Sequence, residues 1–467
     1  MGISLLHHLI WVVFRPLLDI ACDQEILGLE HLRGIRGPII FVSNHESHFD
    51  PFIISNAVPL TARLMPIRFF TRDIFFTQRH LKYFLRGLGA FPGRIGRGVD
   101  EASEAPVVFI QKGFSIGVFP EWCFPDEPDM QRMQHIAPRI ARRTDTPIIP
   151  VFLYGIEGLT WRKIFSRRKK LIVSFGAPVH AAPREDDELL AARVARGQTE
   201  ARLAVVRYLQ REEKRFWSEY AEFYPHLELS EPYQAMRRAI RGMMPQELCG
   251  RWLDLGTGSG GMVDLALSAA HSSFEITASD ANTKMLDVAK ARFAGVSRVS
   301  IEPHDLSEKL PYPETTFDGV IANLVLPYIA HHEAYMGRRA LRAVLSEVRR
   351  VLKPGGIVIW STPKHTVNFI WVALASWRTF FDPRHPEYRR YTLEILKHAL
   401  RIQEWGRREI YHFLTPHEIE VILHEAGFQN ISIKTTLAGQ VFLVRAERAP
   451  SVTMPHTYSK KRMTTAQ

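Results

Sequence analysis

Apolar positions fall into two long stretches of the same kind. Short β-branched segments alternate with helical ones from residue 25 to 180, and again from 217 to 448. This is the pattern of α/β domains built on largely parallel sheets. In the first stretch Pro38–Val42, Ile116–Phe119, Ile148–Leu153 and Leu171–Phe175 read as strands. In the second, Trp252–Leu255, Glu275–Ala278, Val299–Glu302, Gly319–Ala322, Gly356–Trp360, Ile431–Lys434 and Val441–Val444 do, and the last two lie close enough for a hairpin. The charged, Ala- and Arg-rich segment 183–216 reads as a solvated helical connector.

Residues 1–24 open with an apolar segment, Leu5–Leu18, that reads as a helix. It is interrupted by His7, His8, Arg15 and Pro16. It falls short of the roughly 20 apolar residues of a spanning helix and lacks the basic start of a signal peptide. Two placements stay open: in a membrane interface, or packed on the domain that follows. The tail 449–467 is polar, basic and Pro-containing, and reads as disordered. No internal repeat is visible.

Composition narrows the partners. The 467 residues carry a net charge of +11, which favours a membrane surface, a nucleic acid or an acidic metabolite. No nucleic-acid-binding module is recognisable, so none is expected as a partner. Cys22, Cys123 and Cys249 are far apart in sequence, without disulfide or zinc spacing, which fits a reducing compartment. No metal site is expected, His331-His332-Glu333 included.

The segment Asn44-His45-Glu-Ser-His48-Phe-Asp50 follows a strand and opens a helix. An imidazole and a carboxylate so spaced can form a dyad, the acid orienting the base that removes a proton from an attacking hydroxyl or amine. Three further blocks follow in order: Gly87-Leu-Gly-Ala-Phe91-Pro-Gly-Arg94, Val118-Phe119-Pro120-Glu121 and Thr146-Pro147-Ile148-Ile149-Pro150-Val151. Together they resemble the glycerolipid acyltransferases related to lysophosphatidate acyltransferase. The resemblance implies His45 as general base, Asp50 as its partner, and Asn44, Arg94, Arg97 and Glu121 at the acceptor. It also implies acyl-CoA or acyl carrier protein as acyl donor. After Glu121 the family's Gly-Thr-Arg is replaced by Trp122-Cys123-Phe124. The loss of that arginine points to an acceptor other than glycerol phosphate. Cys123 has no activating motif around it and is not expected to be a nucleophile. The cluster Trp161–Lys170 interleaves aromatics with cations and reads as a contact for anionic lipid headgroups.

Leu253-Asp254-Leu255-Gly256-Thr257-Gly258-Ser259-Gly260 joins a strand to a helix, and Asp280 ends the next strand, placed for a ribose diol. A dinucleotide site would look similar. The surroundings, His304-Asp305, Phe317-Asp318 through Asn323 and Leu352-Lys353-Pro354-Gly355-Gly356, resemble class I S-adenosylmethionine-dependent methyltransferases. The resemblance implies that Gly256 and Gly258 line the methionine part of S-adenosyl-L-methionine and that Asp280 binds its ribose. Asp305 would contact the adenine, Asn323 border the methyl, and Asp254 orient the turn. Between Trp360 and Thr415 lies an insertion, near 364–412, with apolar and aromatic residues over Val367–Phe381 followed by Arg384, Arg389 and Arg390. It is either a core-packing lid or an amphipathic one that touches membrane. Tyr220, Tyr224 and Tyr233 would cap the cofactor or simply pack.

The expected architecture is therefore two α/β domains. A glycerolipid-acyltransferase-like domain spans 25–182, and a Rossmann-like, seven-stranded class I methyltransferase domain spans 217–448. The expected activity is acyl transfer to a lysolipid or glycerolipid-like acceptor and methyl transfer to a lipid headgroup or related acceptor, at the cytoplasmic face of a membrane. The alternative is a small-molecule methyltransferase with a degenerate, membrane-docking acyltransferase domain.

Overall fold

A computed structural model describes residues 2–59, 62, 64–71, 76–77, 79–87, 89–93, 98–120, 128–157, 159–160, 169–333 and 335–450. The chain divides into two compact units: Met1–Phe216 with Glu404–Ile410, and Trp217–Gln403 with Tyr411–Gln467.

The first unit is built on a seven-stranded sheet of order β1-β7-β6-β2-β5-β3-β4. Its strands are β1 (Cys22–Leu27), β2 (Ile40–Ser43), β3 (Ile67–Thr71), β4 (Phe91–Pro92), β5 (Ser115–Val118), β6 (Ile148–Tyr154) and β7 (Lys169–Phe175). All neighbours run parallel except β6 and β7. β2, β5 and β7 are buried along their whole length. Both faces are covered, so their sequences run apolar instead of alternating. The helix Asp187–Tyr220 packs where Gly197 meets Pro150 of β6: a Cβ at 197 would lie 2.6 Å from the proline ring. The expected connector is thus a structural layer of this unit.

The N-terminal helix runs from Gly2 to Ala21. Leu18 and Ala21 are buried against the unit, whereas Leu9, Val12, Val13, Leu17 and Ile20 are exposed. Among the described residues no helix is long and apolar enough to cross a membrane. Two cations of the expected headgroup cluster are internal, which corrects that reading for them. Lys169 is buried against Glu409 (3.1 Å) and the Glu157 carbonyl (2.8 Å), and Lys170 lies between Asp23, Glu25 and Tyr208. Both lysines are buried in β7, so each ammonium needs a partner inside the fold. Residues 161–168 and 451–467 lie outside the described residues.

The second unit carries a seven-stranded sheet of order β10-β9-β8-β11-β14-β16-β15. Its strands are β8 (Leu248–Leu255), β9 (Ala270–Asp280), β10 (Val299–Pro303), β11 (Phe317–Asn323), β14 (Leu352–Pro363), β15 (Phe428–Thr436) and β16 (Val441–Arg448). β12 (His331–His332) and β13 (Tyr335–Met336) form a separate pair. Only β16 runs antiparallel to its neighbours, as the second arm of the expected hairpin. The order reverses at β8, so the crevice beyond its carboxyl end is the natural ligand site of such a sheet. The insertion folds into helices Phe369–Ala375, Trp377–Phe381 and Pro386–Arg407.

Candidate active sites

In the first unit, β2 delivers Asn44 and His45 to the sheet's carboxyl edge. The Asn44 side chain continues the pairing of β2 with β6: its amide donates to the Leu153 carbonyl (3.0 Å), and its oxygen accepts from the Leu153 N–H (2.8 Å). Just beyond, Asp50 begins the helix Asp50–Ala57 and is fully buried. One of its oxygens, Oδ2, gathers three donors: His45 Nδ1 at 2.7 Å, the Glu46 N–H at 2.8 Å and the Ser47 N–H at 3.0 Å. The imidazole is held through Nδ1, which assigns Nε2 to proton transfer. Its ring packs on Phe119, centroids 4.6 Å apart. The first, third and fourth sequence blocks therefore meet at one point. Arg94, Arg97, Glu121 and Trp122–Phe124 lie outside the described residues.

In the second unit, the turn after β8 holds its shape through glycine. Gly256, Gly258 and Gly260 have φ of 64°, 56° and 86°, a region costly for residues with a Cβ. A Cβ at 256 would also sit 2.5 Å from the Val325 side chain. Asp280, at the end of β9, accepts from the Gly258 N–H (2.9 Å) through one oxygen and from the Asn282 N–H (2.8 Å) through the other. Burial raises its pKa, opposed by these backbone donors. Asp305 follows β10, whose last residue pairs with Asp280. It is exposed and accepts from the Ser307 N–H (2.8 Å).

Asp254 is completely buried and accepts from the Thr257 hydroxyl (2.6 Å), which ties the turn to the strand. Burial lifts its pKa to about 7. Glu228 clamps the turn from the other side, accepting from the Ser259 hydroxyl (3.0 Å), and its pKa is also raised by burial. No spacing rule links Glu228 to the glycines, so only the folded chain reveals it.

Asn323 belongs to a directed hydrogen-bond chain. The Leu324 N–H donates to Ser361 (2.8 Å), and the Ser361 hydroxyl donates to the Asn323 oxygen (2.7 Å). The Asn323 amide donates to the Tyr233 hydroxyl (3.1 Å), which is 3.2 Å from that of Tyr224. The chain thus runs from the β11–β14 corner through two phenols to Tyr224, which lines the adjoining pocket. Burial pushes both phenol pKa values up, which keeps them donors. A cleft that opens to solvent, about 650 Å³ with that open space included, lies between Tyr224 and Leu324 on one side and Phe369, Val372, Tyr388 and Ile395 of the insertion on the other. Tyr224 also stands 3.7 Å from where a Gly258 Cβ would be, so pocket and glycine turn adjoin.

The residues fit a sulfonium nucleoside. Nothing crowds the turn at Gly258 closer than ordinary van der Waals contact, an acid sits at the end of β9, and a second acid follows β10. Such a set has the shape to receive the methionine, ribose and adenine of that cofactor.

Comparison with known families agrees with this division. Residues 24–154 match the family described as acyltransferase, and residues 220–433 match a methyltransferase domain. The chain is thus an enzyme that joins an acyltransferase domain to a class I, S-adenosylmethionine-dependent methyltransferase domain. More particularly, over 218 residues (46% of this chain, 81% of the relative) it is 26% identical to the demethylmenaquinone methyltransferase of Tropheryma whipplei strain Twist. It is 24% identical over 210 residues, 45% of this chain and 80% of the relative, to the enzyme of that name from Staphylococcus aureus strain JH9. Among solved structures, an S-adenosylmethionine dependent methyltransferase from Mesorhizobium loti aligns at 21% identity and a TM-score of 0.32, covering 45% of this chain and 96% of that one.

Proposed function

We propose that the chain is a bifunctional lipid-modifying enzyme. The first domain moves an acyl group from an acyl-CoA or acyl carrier protein thioester to a lysolipid or glycerolipid-like acceptor. His45 Nε2 takes the proton of the attacking hydroxyl, and Asp50 steadies the imidazolium through Nδ1. The second domain transfers a methyl group to a lipid or related acceptor. S-adenosyl-L-methionine, when bound, supplies an electrophilic methyl. The chain's own part is to hold the acceptor in a dry pocket with its nucleophilic atom beside the Asn323–Leu324 corner. Both reactions are placed at the cytoplasmic face of a membrane, with membrane lipids as partners.

The observation that carries the lipid reading is the pocket lining. Trp217, Leu227, Phe369, Val372, Ile395 and Leu396 form its walls, with tyrosine and threonine hydroxyls between them, and among the described residues no carboxylate, ammonium, guanidinium or imidazole lines it. Such walls suit an acceptor with a long apolar body. A second reading takes that body to be a prenylated quinone, favoured by the relatives named as demethylmenaquinone methyltransferases.

Incubation with methyl-labelled S-adenosylmethionine and a total lipid extract tests the proposal. Label in the organic phase on a glycerolipid supports the first reading, and label on a quinone supports the second. Label confined to water-soluble products overturns both.

A further inference from the structure

The helix Phe369–Ala375 has the sequence Phe-Ile-Trp-Val-Ala-Leu-Ala, apolar on every side. A helix in water keeps only one apolar face and turns it inward. Here Phe369 and Val372 do so, roofing the pocket, while Ile370, Trp371 and Leu374 are exposed. The next helix adds Trp377, 58% exposed, and Phe381, 71% exposed. Isolated exposed apolar residues are ordinary, but five large ones among the twelve residues 370–381, three of them aromatic, mark a contact surface.

We infer that this patch docks the methyltransferase domain onto a bilayer containing anionic lipid. Charge selects that occupant. Residues 364–393 hold five Lys and Arg against two Asp and Glu. Asp382 is taken by Arg384, while Arg389 and Arg390 are exposed and Arg378 lies 5.4 Å from the Trp377 ring. Tryptophan beside cations is the composition of the headgroup boundary, where the ring sinks and the charge meets phosphate. A second copy of the chain would set the same cations against each other. The inference goes beyond the proposed reactions, since docking requires neither methyl nor acyl transfer.

The test uses the full chain with Leu374→Cys in a Cys123→Ser, Cys249→Ser background, where the one remaining native thiol, Cys22, is buried, labelled at residue 374 with an environment-sensitive fluorophore. The vesicles are phosphatidylcholine alone, or phosphatidylcholine with phosphatidylglycerol. On the anionic vesicles the emission shifts to the blue and the label loses its accessibility to aqueous iodide, and high salt reverses both. The same label at exposed Val288 stays aqueous. Because the probe reports its own position, the exposed apolar residues of the N-terminal helix do not confuse the reading. A label at 374 that stays aqueous on anionic vesicles, responds equally to both vesicles, or shifts without vesicles as protein concentration rises overturns the inference. A failure of lipid methylation leaves this readout unaffected.

Discussion

The Asn44 carboxamide faces Leu153 with both hydrogen bonds that another residue of β2 would have made. A side chain thereby carries the β2–β6 pairing past the point where the backbone leaves to place His45. Asn44→Leu strands a buried N–H and a buried carbonyl. Each costs about 1–3 kcal/mol, so the first unit should lose on the order of 2–6 kcal/mol. Limited proteolysis over a urea series will report this as earlier cleavage within residues 24–154 while the methyltransferase domain keeps its midpoint.

The His45–Asp50 pair should behave as one device. His45→Ala should reduce acyl transfer to background. Asp50→Asn, which leaves a similar shape but no charge to stabilise the imidazolium, should lower kcat on the order of a hundredfold. Release of free CoA thiol with an acyl-CoA and a lysolipid measures both. Equal loss of KM and kcat in Asp50→Asn would speak for a packing role instead.

Asp254 should leave a mark on pH dependence. Its pKa is raised from 3.8 to about 7 in the folded state. The native chain therefore holds this proton between those values while the unfolded chain releases it. The stabilisation is complete below about pH 4 and fades as pH climbs through about 7. Asp254→Asn should flatten the fall in the second unit's melting temperature between pH 5 and pH 8 relative to the parent, as read by scanning calorimetry.

Gly258→Ala places a side chain at φ 56°, a conformation costing about 1–2 kcal/mol for L-residues. Binding of S-adenosylmethionine should weaken roughly tenfold, measured by isothermal titration. Gly256→Ala meets Val325 as well and should do more damage. Gly295→Ala, on a positive-φ glycine with open space around it, should leave the cofactor affinity unchanged.

Tyr233→Phe cuts the hydrogen-bond chain between Asn323 and Tyr224 without emptying the core. Methyl transfer should fall about tenfold through loss of one oriented hydrogen bond, with cofactor affinity kept. Tyr224→Phe removes the hydroxyl on the pocket wall itself and should lower methyl transfer at least as much, as a labelled-methyl transfer assay will show.

The sheet strands are legible where both faces are buried, because burial on two sides leaves an apolar run: β2, β5 and β6 carry one, and β8 and β11 carry one only over their buried stretches Trp252–Leu255 and Gly319–Ala322. β1 escaped notice because Cys22-Asp-Gln-Glu reads as polar; it lies at the sheet edge, where only parts of its side chains are covered. β3 is hidden by Arg68 inside its five residues, and β4 by its length of two residues with a proline. The dyad and the glycine turn announced themselves because their geometry depends on near neighbours in sequence. Glu228 and Ser361 do not, and Tyr233 is visible without its partner, because they reach across 31, 38 and 90 residues respectively. No periodicity encodes such pairings.

The seven residues Phe369–Ala375 are both ceiling and anchor. If their outer side is seated in a bilayer, the chamber cannot widen by lifting that ceiling without pulling aromatic rings out of the membrane. The least costly doorway is then sideways, along the plane of the lipids, so a substrate would slide in tail and all and never cross open water.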